Sequence, residues 1–169
     1  MNTDKYFKIK DFTLTPEQSQ TLKMVCGNNI SILTDSVGTG KSSSILALIN
    51  MLNSNNKSFI LAAPTRTAAK VASRYINTRT NTIHKLLGFN VIIKSFTYGK
   101  NKKSSYDMVI IYEVSMCDIC PFCSLLEAIN FKKTKLILIG DSAQPPSVGA
   151  ENILYDLVNS KVVLVKTYL

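Results

Sequence analysis

The sequence contains no uninterrupted apolar run of the roughly 18 residues that a membrane-spanning helix requires. Its opening residues, MNTDKYFKIKDF, lack the apolar core of a secretory signal peptide as well. We therefore expect a cytoplasmic protein without a membrane partner. The 169 residues also contain no long tract rich in Gly, Ser or Pro, and 46% of them are hydrophobic, which predicts a single globular domain over residues 1–169.

Acidic residues are scarce, with 11 Asp and Glu against 20 Lys and Arg. The resulting net charge of +9 and the isoelectric point near 9.4 favour a polyanionic partner, of which nucleic acid fits best. The alternative is that the lysines simply solvate one face, or that the chain is the basic part of a longer and more acidic protein.

Four cysteines are present, and three of them form a CxxCxxC run at positions 117, 120 and 123. This spacing is compatible with a metal or iron–sulfur site. However, the run lies in segment 115–129, whose apolar residues repeat at helical spacing, and the remaining cysteine, Cys26, is far upstream. We expect reduced, buried cysteines that act as small hydrophobic side chains.

Apolar segments without alternation, separated by segments of helical periodicity, predict an α/β fold with a parallel sheet covered by helices on both faces. Thr15, Pro16 and Gln18 predict the cap and first turn of the first helix. Residues 91–106 are predicted as a small hairpin or surface loop. Strands are predicted at 30–33, 58–63, 108–112, 136–139 and 162–165, and further helices at 42–52, 67–75, 83–87, 115–129 and 150–157.

The stretch VGTGKS, from Val37 to Ser42, follows the first predicted strand and opens a predicted helix. This is the phosphate-binding P-loop arrangement, because glycines let backbone N–H groups point inward and the helix N-terminus adds its positive dipole end. Lys41 would reach the β and γ phosphates, and Ser42 would offer its hydroxyl to Mg²⁺. The alternative is an ordinary strand-to-helix turn. Asp35 stands where the GxxxxGK pattern has its first glycine, and its carboxylate would repel phosphate.

Two more predicted strand ends carry candidate groups for nucleotide chemistry. Glu113 can act as a general base, but Tyr112 occupies the place of the Mg²⁺-holding carboxylate that such sites pair with it. Asp141 is a candidate substitute for that carboxylate, and the amide of Gln144 can sense the γ-phosphate. The alternatives are a surface acid at Glu113 and a plain polar loop around Gln144.

Six segments, taken in order, resemble the successive motifs of RecD-like superfamily 1 DNA helicases. They are LTPEQ (14–18), VGTGKS (37–42), AAPTRTAAK (62–70), TIHKLLG (82–88), VIIYEVSM (109–116) and LILIGDSAQPPSVG (136–149). The resemblance implies a three-layer, RecA-like P-loop NTPase domain with a mostly parallel sheet flanked by helices. It also implies ATP hydrolysis with Mg²⁺ coupled to 5′ to 3′ movement on single-stranded DNA, and partner subunits in recombination or repair, as in exodeoxyribonuclease V.

The resemblance assigns roles to individual residues. Gln18 would contact adenine, Glu113 the attacking water, and Gln144 the γ-phosphate. The phosphates and Mg²⁺ would be held by Gly38, Thr39, Gly40, Lys41, Ser42 and Ser43, with Glu113 and Asp141 at the metal. The DNA strand would meet Pro64, Thr65, Arg66, Thr82 and His84. Two alternatives stay open: Thr65 as a helix cap and His84 as a structural side chain. The sequence also predicts a basic stripe, which either faces the phosphates of a nucleic acid or is a solvated helix face. It consists of Arg66, Lys70, Arg74 and Arg79.

The chain departs from the family pattern at Asp35 and Tyr112, where glycine and aspartate are usual, and also at Val37 and Pro145. It stops at Leu169, where such helicases continue into a second RecA-like domain with an arginine finger. We therefore expect slow hydrolysis by this chain alone, and an exposed apolar face that favours self-association. The competing hypothesis is a degenerate, non-catalytic module that binds DNA or a protein. A P-loop small-molecule kinase is a weaker third hypothesis, since no substrate lid can be located.

Overall fold

The strands in the described part of this chain form a six-stranded parallel sheet with a short hairpin beside it. The computed structural model describes residues 15–35, 41–141, 153–160 and 164–168. Within these ranges the strands are β1 (Ile30–Asp35), β2 (Phe59–Ala63), β3 (Thr80–Thr82), β4 (Phe89–Asn90), β5 (Ser95–Phe96), β6 (Met108–Tyr112), β7 (Lys135–Gly140) and β8 (Leu164–Tyr168). The helices are α1 (Pro16–Gly27), α2 (Lys41–Ser54), α3 (Arg66–Ile76), α4 (Ile83–Leu86), α5 (Ile119–Ala128) and α6 (Ile153–Asn159), with a 3-10 turn at Val114–Met116.

The main sheet has the order β3-β2-β6-β7-β1-β8, and every neighbouring pair is parallel. Strand β6 is buried from Met108 to Ile111, and β7 from Leu136 to Gly140. Strands buried on both faces need apolar side chains at successive positions, and this is why the sequence shows continuous Ile, Leu and Val runs here. The predicted α/β fold with a parallel sheet is confirmed.

Two hydrophobic clusters cover opposite faces of the sheet. Along β6, Val109 and Ile111 belong to the cluster that contains α5 and α6, while Met108 and Ile110 belong to the cluster that contains α1 and α2. Successive side chains of a strand point to opposite faces, so one continuous apolar strand supplies both cores. The result is the three-layer arrangement of helices, sheet and helices.

The first helix begins as its sequence predicts. The Thr15 hydroxyl accepts a hydrogen bond from the Gln18 N–H at 3.3 Å, and the Thr15 N–H donates to the Gln18 side-chain oxygen at 3.0 Å. This reciprocal pair satisfies two backbone N–H groups that a helix N-terminus leaves without partners. Helix α1 runs to Gly27.

The predicted continuous helix over 115–129 is wrong. A 3-10 turn is followed by extended backbone at Cys117 and Asp118, and α5 begins only at Ile119. Of the three cysteines expected to be buried, only Cys117 is, at 2% exposure, whereas Cys120 and Cys123 are exposed. The reason is that α5 turns a different face to the sheet, formed by Phe122, Leu125 and Ala128.

Two other details differ from expectation. The hairpin predicted at about 91–106 lies earlier in the chain: β4 and β5 pair antiparallel, and residues 91–94 form the turn between them. The sequence also gives no signal for β3, a three-residue polar strand, TNT, at the sheet edge. Strand β3 is set by its pairing with the distant β2 rather than by local periodicity. Within the described part of the chain, no helix combines the length and apolarity needed to cross a bilayer.

Candidate functional site

The carboxyl ends of the central strands meet at one edge of the sheet. Tyr112 of β6 pairs with Ile139 of β7, and Gly140 of β7 pairs with Thr34 of β1. Glu113, the residue after β6, is therefore one strand away from Asp141, the residue after β7. In an open parallel sheet, ligands bind at this edge. The order of the strands thus brings together the sequence-predicted residues Glu113 and Asp141, beside the end of β1.

Several predicted nucleotide contacts fall outside the described residues. These are Gly38, Thr39, Gly40 and Gln144. Helix α2 begins at Lys41, and Ser42 and Ser43 occupy its first turn. The first helical residue thus comes six positions after the end of β1 at Asp35. This short strand-to-helix connection, at the correct sheet edge, is the arrangement that a P-loop requires.

The side chains of Tyr112 and Glu113 interact with each other at the end of β6. Burial raises the pKa of the Tyr112 phenol, the charge of Glu113 and the nearby Tyr75 raise it further, and so does a side-chain hydrogen bond to Glu113. Each cause favours the neutral phenol, so Tyr112 supplies no anion at neutral pH. A neutral phenol is a poor Mg²⁺ ligand, because Mg²⁺ prefers carboxylate, phosphate and water oxygens.

Glu113 itself has a left-handed backbone, with φ of 58° and ψ of 51°. A non-glycine residue in this region costs of order 1–3 kcal/mol and persists only where the surroundings impose it. Here the buried residues Val114 and Ser115 follow immediately in the 3-10 turn and fix the chain direction. This conformation turns the chain sharply at the point where β6 reaches the candidate site.

Asp141 is 2% exposed, an unusual degree of burial for a carboxylate. The preceding Gly140 approaches the 3-10 turn closely: a Cβ at this position would lie 3.3 Å from the Ser115 nitrogen and 2.7 Å from a Leu154 methyl carbon. The absence of a side chain at Gly140 therefore lets β7 approach the turn that carries Glu113.

The Gln18 side chain, expected at adenine, takes part in the capping box of α1 through its oxygen. Helix α1 packs on α2, the helix that begins at Lys41. The capping box thus fixes the start of α1, the helix that carries Gln18. Helix α1 lies next to α2, the candidate phosphate-binding helix.

A second site lies at the outer edge of the sheet, where a basic groove of about 800 Å³ runs between α3, β3 and α4. We call it the α3–α4 groove, and it is lined by Arg66, Ala69, Lys70, Ser73, Arg74, Thr80, Asn81, Thr82, His84, Lys85 and Phe89. The lining contains four Lys or Arg side chains and no carboxylate. Three residues that the sequence predicted at DNA line it: Arg66, Thr82 and His84.

The other two predicted DNA contacts, Pro64 and Thr65, are not part of the groove lining but directly precede Arg66, which is. Thr65 caps α3, because its hydroxyl accepts a hydrogen bond from the Ala68 N–H at 3.1 Å. Thr82 caps α4 in the same way, accepting from the Lys85 N–H at 3.2 Å. Pro64 is half-buried just before the α3 cap. Each threonine hydroxyl can still donate its own hydrogen to a ligand.

Sequence reasoning missed part of this groove. Lys85 and Phe89 lie in it but were not predicted, whereas Arg79, placed in the basic stripe, does not line it. The signal was present in the TIHKLLGF segment, in which Lys85 and Phe89 are four residues apart. Within the described ranges, no three His, Cys, Asp or Glu side chains gather as metal ligands, and this includes the CxxCxxC run.

Comparisons with known proteins match this architecture. The model of the family AAA_19, described as an AAA domain, matches residues 18–150. An ATP-dependent RecD2 DNA helicase from Deinococcus radiodurans is 32% identical over 137 residues, which cover 81% of this chain and 19% of that protein. The RecBCD enzyme subunit RecD from Buchnera aphidicola subsp. Schizaphis graminum is 36% identical over 148 residues, which cover 75% of this chain and 24% of that protein.

Solved structures support the fold. The crystal structure of the Pif1 helicase from Candida albicans matches 94% of this chain and 40% of that chain, with a TM-score of 0.60 and 21% identity. AMPPCP-bound DnaA from Aquifex aeolicus matches 97% of this chain with a TM-score of 0.54 and 14% identity. The chain spans less than a quarter of the length of the two curated relatives.

Proposed function

Because this chain belongs to the AAA_19 family of AAA domains and is a RecD-like superfamily 1 helicase motor domain, we propose that it binds ATP with Mg²⁺ and couples hydrolysis to movement along single-stranded DNA. The observation that carries the proposal is the sheet register. It sets Glu113 and Asp141 at the ends of neighbouring strands, beside the strand that leads into α2 at Lys41.

The side chains at this sheet edge fit a nucleotide with bound Mg²⁺, but they include one carboxylate fewer than such a site is expected to have. Glu113 and the buried Asp141 are carboxylates at the correct edge, but Tyr112 is a neutral phenol. Bound Mg²⁺ would neutralise charge that develops on the transferred phosphoryl group. Ser42 and Asp141 are the residues that we propose to hold the ion.

The chain's own residues would perform the remaining tasks at this site. Lys41 and the backbone N–H groups from Gly38 to Ser43 would hold the phosphates. Gln18 would contact adenine, and Gln144 would contact the γ-phosphate. Glu113, which has a left-handed backbone at the end of β6, would orient the attacking water and accept its proton.

For the nucleic acid, we propose that single-stranded DNA contacts Pro64, Thr65, Arg66, Thr82 and His84. Partner subunits of recombination or repair, and self-association through exposed Met116 and Ile119 near the site, belong to the same proposal. The free cysteines fit a reducing, cytoplasmic site of action.

A titration of the purified chain with a non-hydrolysable ATP analogue, with and without Mg²⁺, tests the proposal. Micromolar, Mg²⁺-dependent binding that is lost in Lys41→Ala would support it. A folded sample that binds no analogue under either condition would refute it. The Lys41→Ala variant must keep the wild-type melting temperature for the comparison to hold.

The second candidate function is a non-catalytic module that keeps the fold and binds DNA or a protein. The neutral, half-buried Tyr112 favours it, because this residue leaves the Mg²⁺ position short of an anion. The double variant Asp35→Gly/Tyr112→Asp separates the two functions. A large gain in ATP turnover would show that these two residues alone had silenced the site.

A further inference from the structure

We propose that Cys120 and Cys123 form a reversible redox site, at which the two thiols are oxidised to a disulfide by exchange with a small disulfide such as oxidised glutathione. The site is independent of the proposed nucleotide and DNA binding. It uses two residues of the CxxCxxC run, to which the proposed function gives no role.

The two cysteines lie on the outer face of α5, inside a βαβ unit. Helix α5 connects β6 to β7, which are parallel neighbours in the sheet. Its inner face is formed by the buried residues Phe122, Leu125 and Ala128. Cys120 and Cys123 are both exposed. Three helical residues rotate by about 300°, so the two thiols differ by only about 60° around the axis. A CxxC pair beside a βαβ unit is typical of dithiols that exchange with disulfides.

The helix brings the two cysteines within reach of a disulfide bond. Cα atoms three residues apart in an α-helix are separated by about 5 Å, and disulfides join Cα atoms roughly 4.4–6.8 Å apart. The Cβ atoms of such a pair are about 5–6 Å apart and must approach to about 4 Å. This approach strains the first turn of α5. A strained and exposed disulfide is easily reduced, which makes the site reversible rather than structural.

The start of α5 suits this adjustment. Pro121 lies in the first turn, where its missing N–H costs no helical hydrogen bond and its fixed φ limits the freedom of the chain between the two cysteines. Asp118 at the N-cap makes no side-chain capping hydrogen bond. The first turn is closed by backbone groups, with the Phe122 N–H donating to the Asp118 carbonyl at 3.2 Å. A turn without a side-chain cap adjusts more readily than a capped one.

Burial excludes the other two cysteines as partners. Cys117 is 2% exposed, and its Sγ donates to the Asp118 carbonyl oxygen at 3.6 Å. The Sγ of half-buried Cys26 lies 4.0 Å from the Met51 sulfur. Burial raises the pKa of Cys117 to about 12 and that of Cys26 to about 11, and only a thiolate attacks a disulfide. Exchange is therefore confined to the exposed pair.

A soft metal ion is the competing ligand for two thiols, and this arrangement suits it less well. Structural zinc sites use four protein ligands, and catalytic sites use three. In the part of the chain that the structure describes, no three His, Cys, Asp or Glu side chains are grouped to hold a metal ion. Two thiolates on one helix would leave half of a tetrahedral shell to other molecules. The geometry therefore favours the disulfide.

The exchange balances with oxidised glutathione as the oxidant. One cysteine thiolate attacks a sulfur of oxidised glutathione, which forms a mixed disulfide and releases one glutathione thiolate. The thiolate of the second cysteine then attacks the protein sulfur of the mixed disulfide, which forms the Cys120–Cys123 bond and releases the second glutathione. The protein loses two electrons, and its two thiol protons pass through solvent to the two molecules of reduced glutathione.

The test is intact-mass spectrometry of the whole chain, equilibrated under nitrogen over a series of ratios of oxidised to reduced glutathione and quenched in acid. Wild type should lose about 2 Da, the mass of two hydrogen atoms, together with two maleimide-reactive thiols. Both changes should reverse when reduced glutathione is in excess.

Variants at the three cysteines of the run identify the pair. Cys120→Ser and Cys123→Ser, at exposed positions, should lack the species that is lighter by about 2 Da and should instead accumulate a mixed disulfide with one glutathione. The matched control, Cys117→Ala, should behave as wild type. Cys26→Ala gives the same control if the buried substitution at Cys117 prevents folding.

Three results would overturn the inference. The first is a lighter species that persists in either serine variant, which would assign the bond to another cysteine. The second is a wild type that forms only mixed disulfides or only disulfide-linked dimers. The third is ultraviolet Cd²⁺–thiolate absorption that both serine variants lose, in a wild type that never forms the lighter species, which would indicate a metal site. None of these results bears on the nucleotide titration, so the two proposals fail separately.

Discussion

If the proposed magnesium site lacks a carboxylate at position 112, then replacing Tyr112 with aspartate should supply it. Tyr112 is half-buried against the small side chains Ala63, Ala68 and Ala69. Truncation of a fully buried aromatic ring costs roughly 3–5 kcal/mol. For a half-buried ring we expect about 2 kcal/mol, which for a chain of 169 residues is a melting temperature about 4–8 °C lower.

Mg²⁺ should recover part of this loss. Without metal, the introduced carboxylate and the Glu113 carboxylate repel each other. A divalent cation between them removes the repulsion. At a Mg²⁺ concentration ten times its Kd, binding stabilises the folded variant by about 1.4 kcal/mol, or about 3–6 °C.

Thermal melts of Tyr112→Asp over a Mg²⁺ titration measure this recovery. Tyr112→Phe is the matched control, because it keeps the ring and adds no carboxylate. Its melting temperature should stay near that of wild type and respond little to Mg²⁺. If Mg²⁺ raises the melting temperatures of both variants equally, or of neither, then position 112 is not part of a magnesium site and the reasoning from the strand order is refuted.

Four further predictions concern stability and thiol chemistry. Gly140→Ala should cost about 1–3 kcal/mol, because the new Cβ would lie 2.7 Å from the Leu154 methyl carbon, and Leu154→Val should reduce that cost in a double-mutant cycle. A maleimide should label exposed Cys120 and Cys123 rapidly and Cys26 and Cys117 slowly, since burial raises the pKa of Cys26 to about 11 and of Cys117 to about 12. Because these thiols ionise at a lower pH in the unfolded chain than in the folded chain, the free energy of unfolding should fall as the pH rises above 9. The fall should be smaller in Cys117→Ala, which lacks one of the two thiols. Asp107→Asn should lower the free energy of unfolding by about 1 kcal/mol at neutral pH, because the Ser58 hydroxyl and N–H both donate hydrogen bonds to the Asp107 carboxylate. These hydrogen bonds lower the pKa of Asp107 from 3.8, so the stabilisation is lost as the pH falls through the folded-state pKa. Urea melts of wild type and variant should therefore give the same free energy of unfolding in acid.

The sequence was sufficient for the central strands of the sheet because these strands are continuous apolar runs. Strand β6 lies at 108–112 as predicted, and β7 extends the predicted strand by one residue at each end. The first helix was predictable from Thr15 and Gln18, since a capping box is a local interaction. Signals of this kind need no knowledge of distant residues.

The sequence-based predictions failed where the structure depends on contacts between residues that are distant in the sequence. The polar strand β3 exists because it pairs with β2, and no local pattern marks it. Cys120 and Cys123 are exposed because α5 is oriented by Phe122 and Leu125, which the periodicity alone could not rank above the cysteines. At the site, strand ends located Glu113 and Asp141, but the order of the strands was needed to make them neighbours.

Helix α3 connects the two candidate sites. Its small buried residues Ala68 and Ala69 contact Tyr112 at the end of β6, and Ala69 also lines the α3–α4 groove. The same helix carries Arg66, Lys70 and Arg74 on its outer face. The end of β6 and the basic row of the groove therefore share α3 as a structural support, with Tyr112 packed on one side of the helix and the basic row on its outer face.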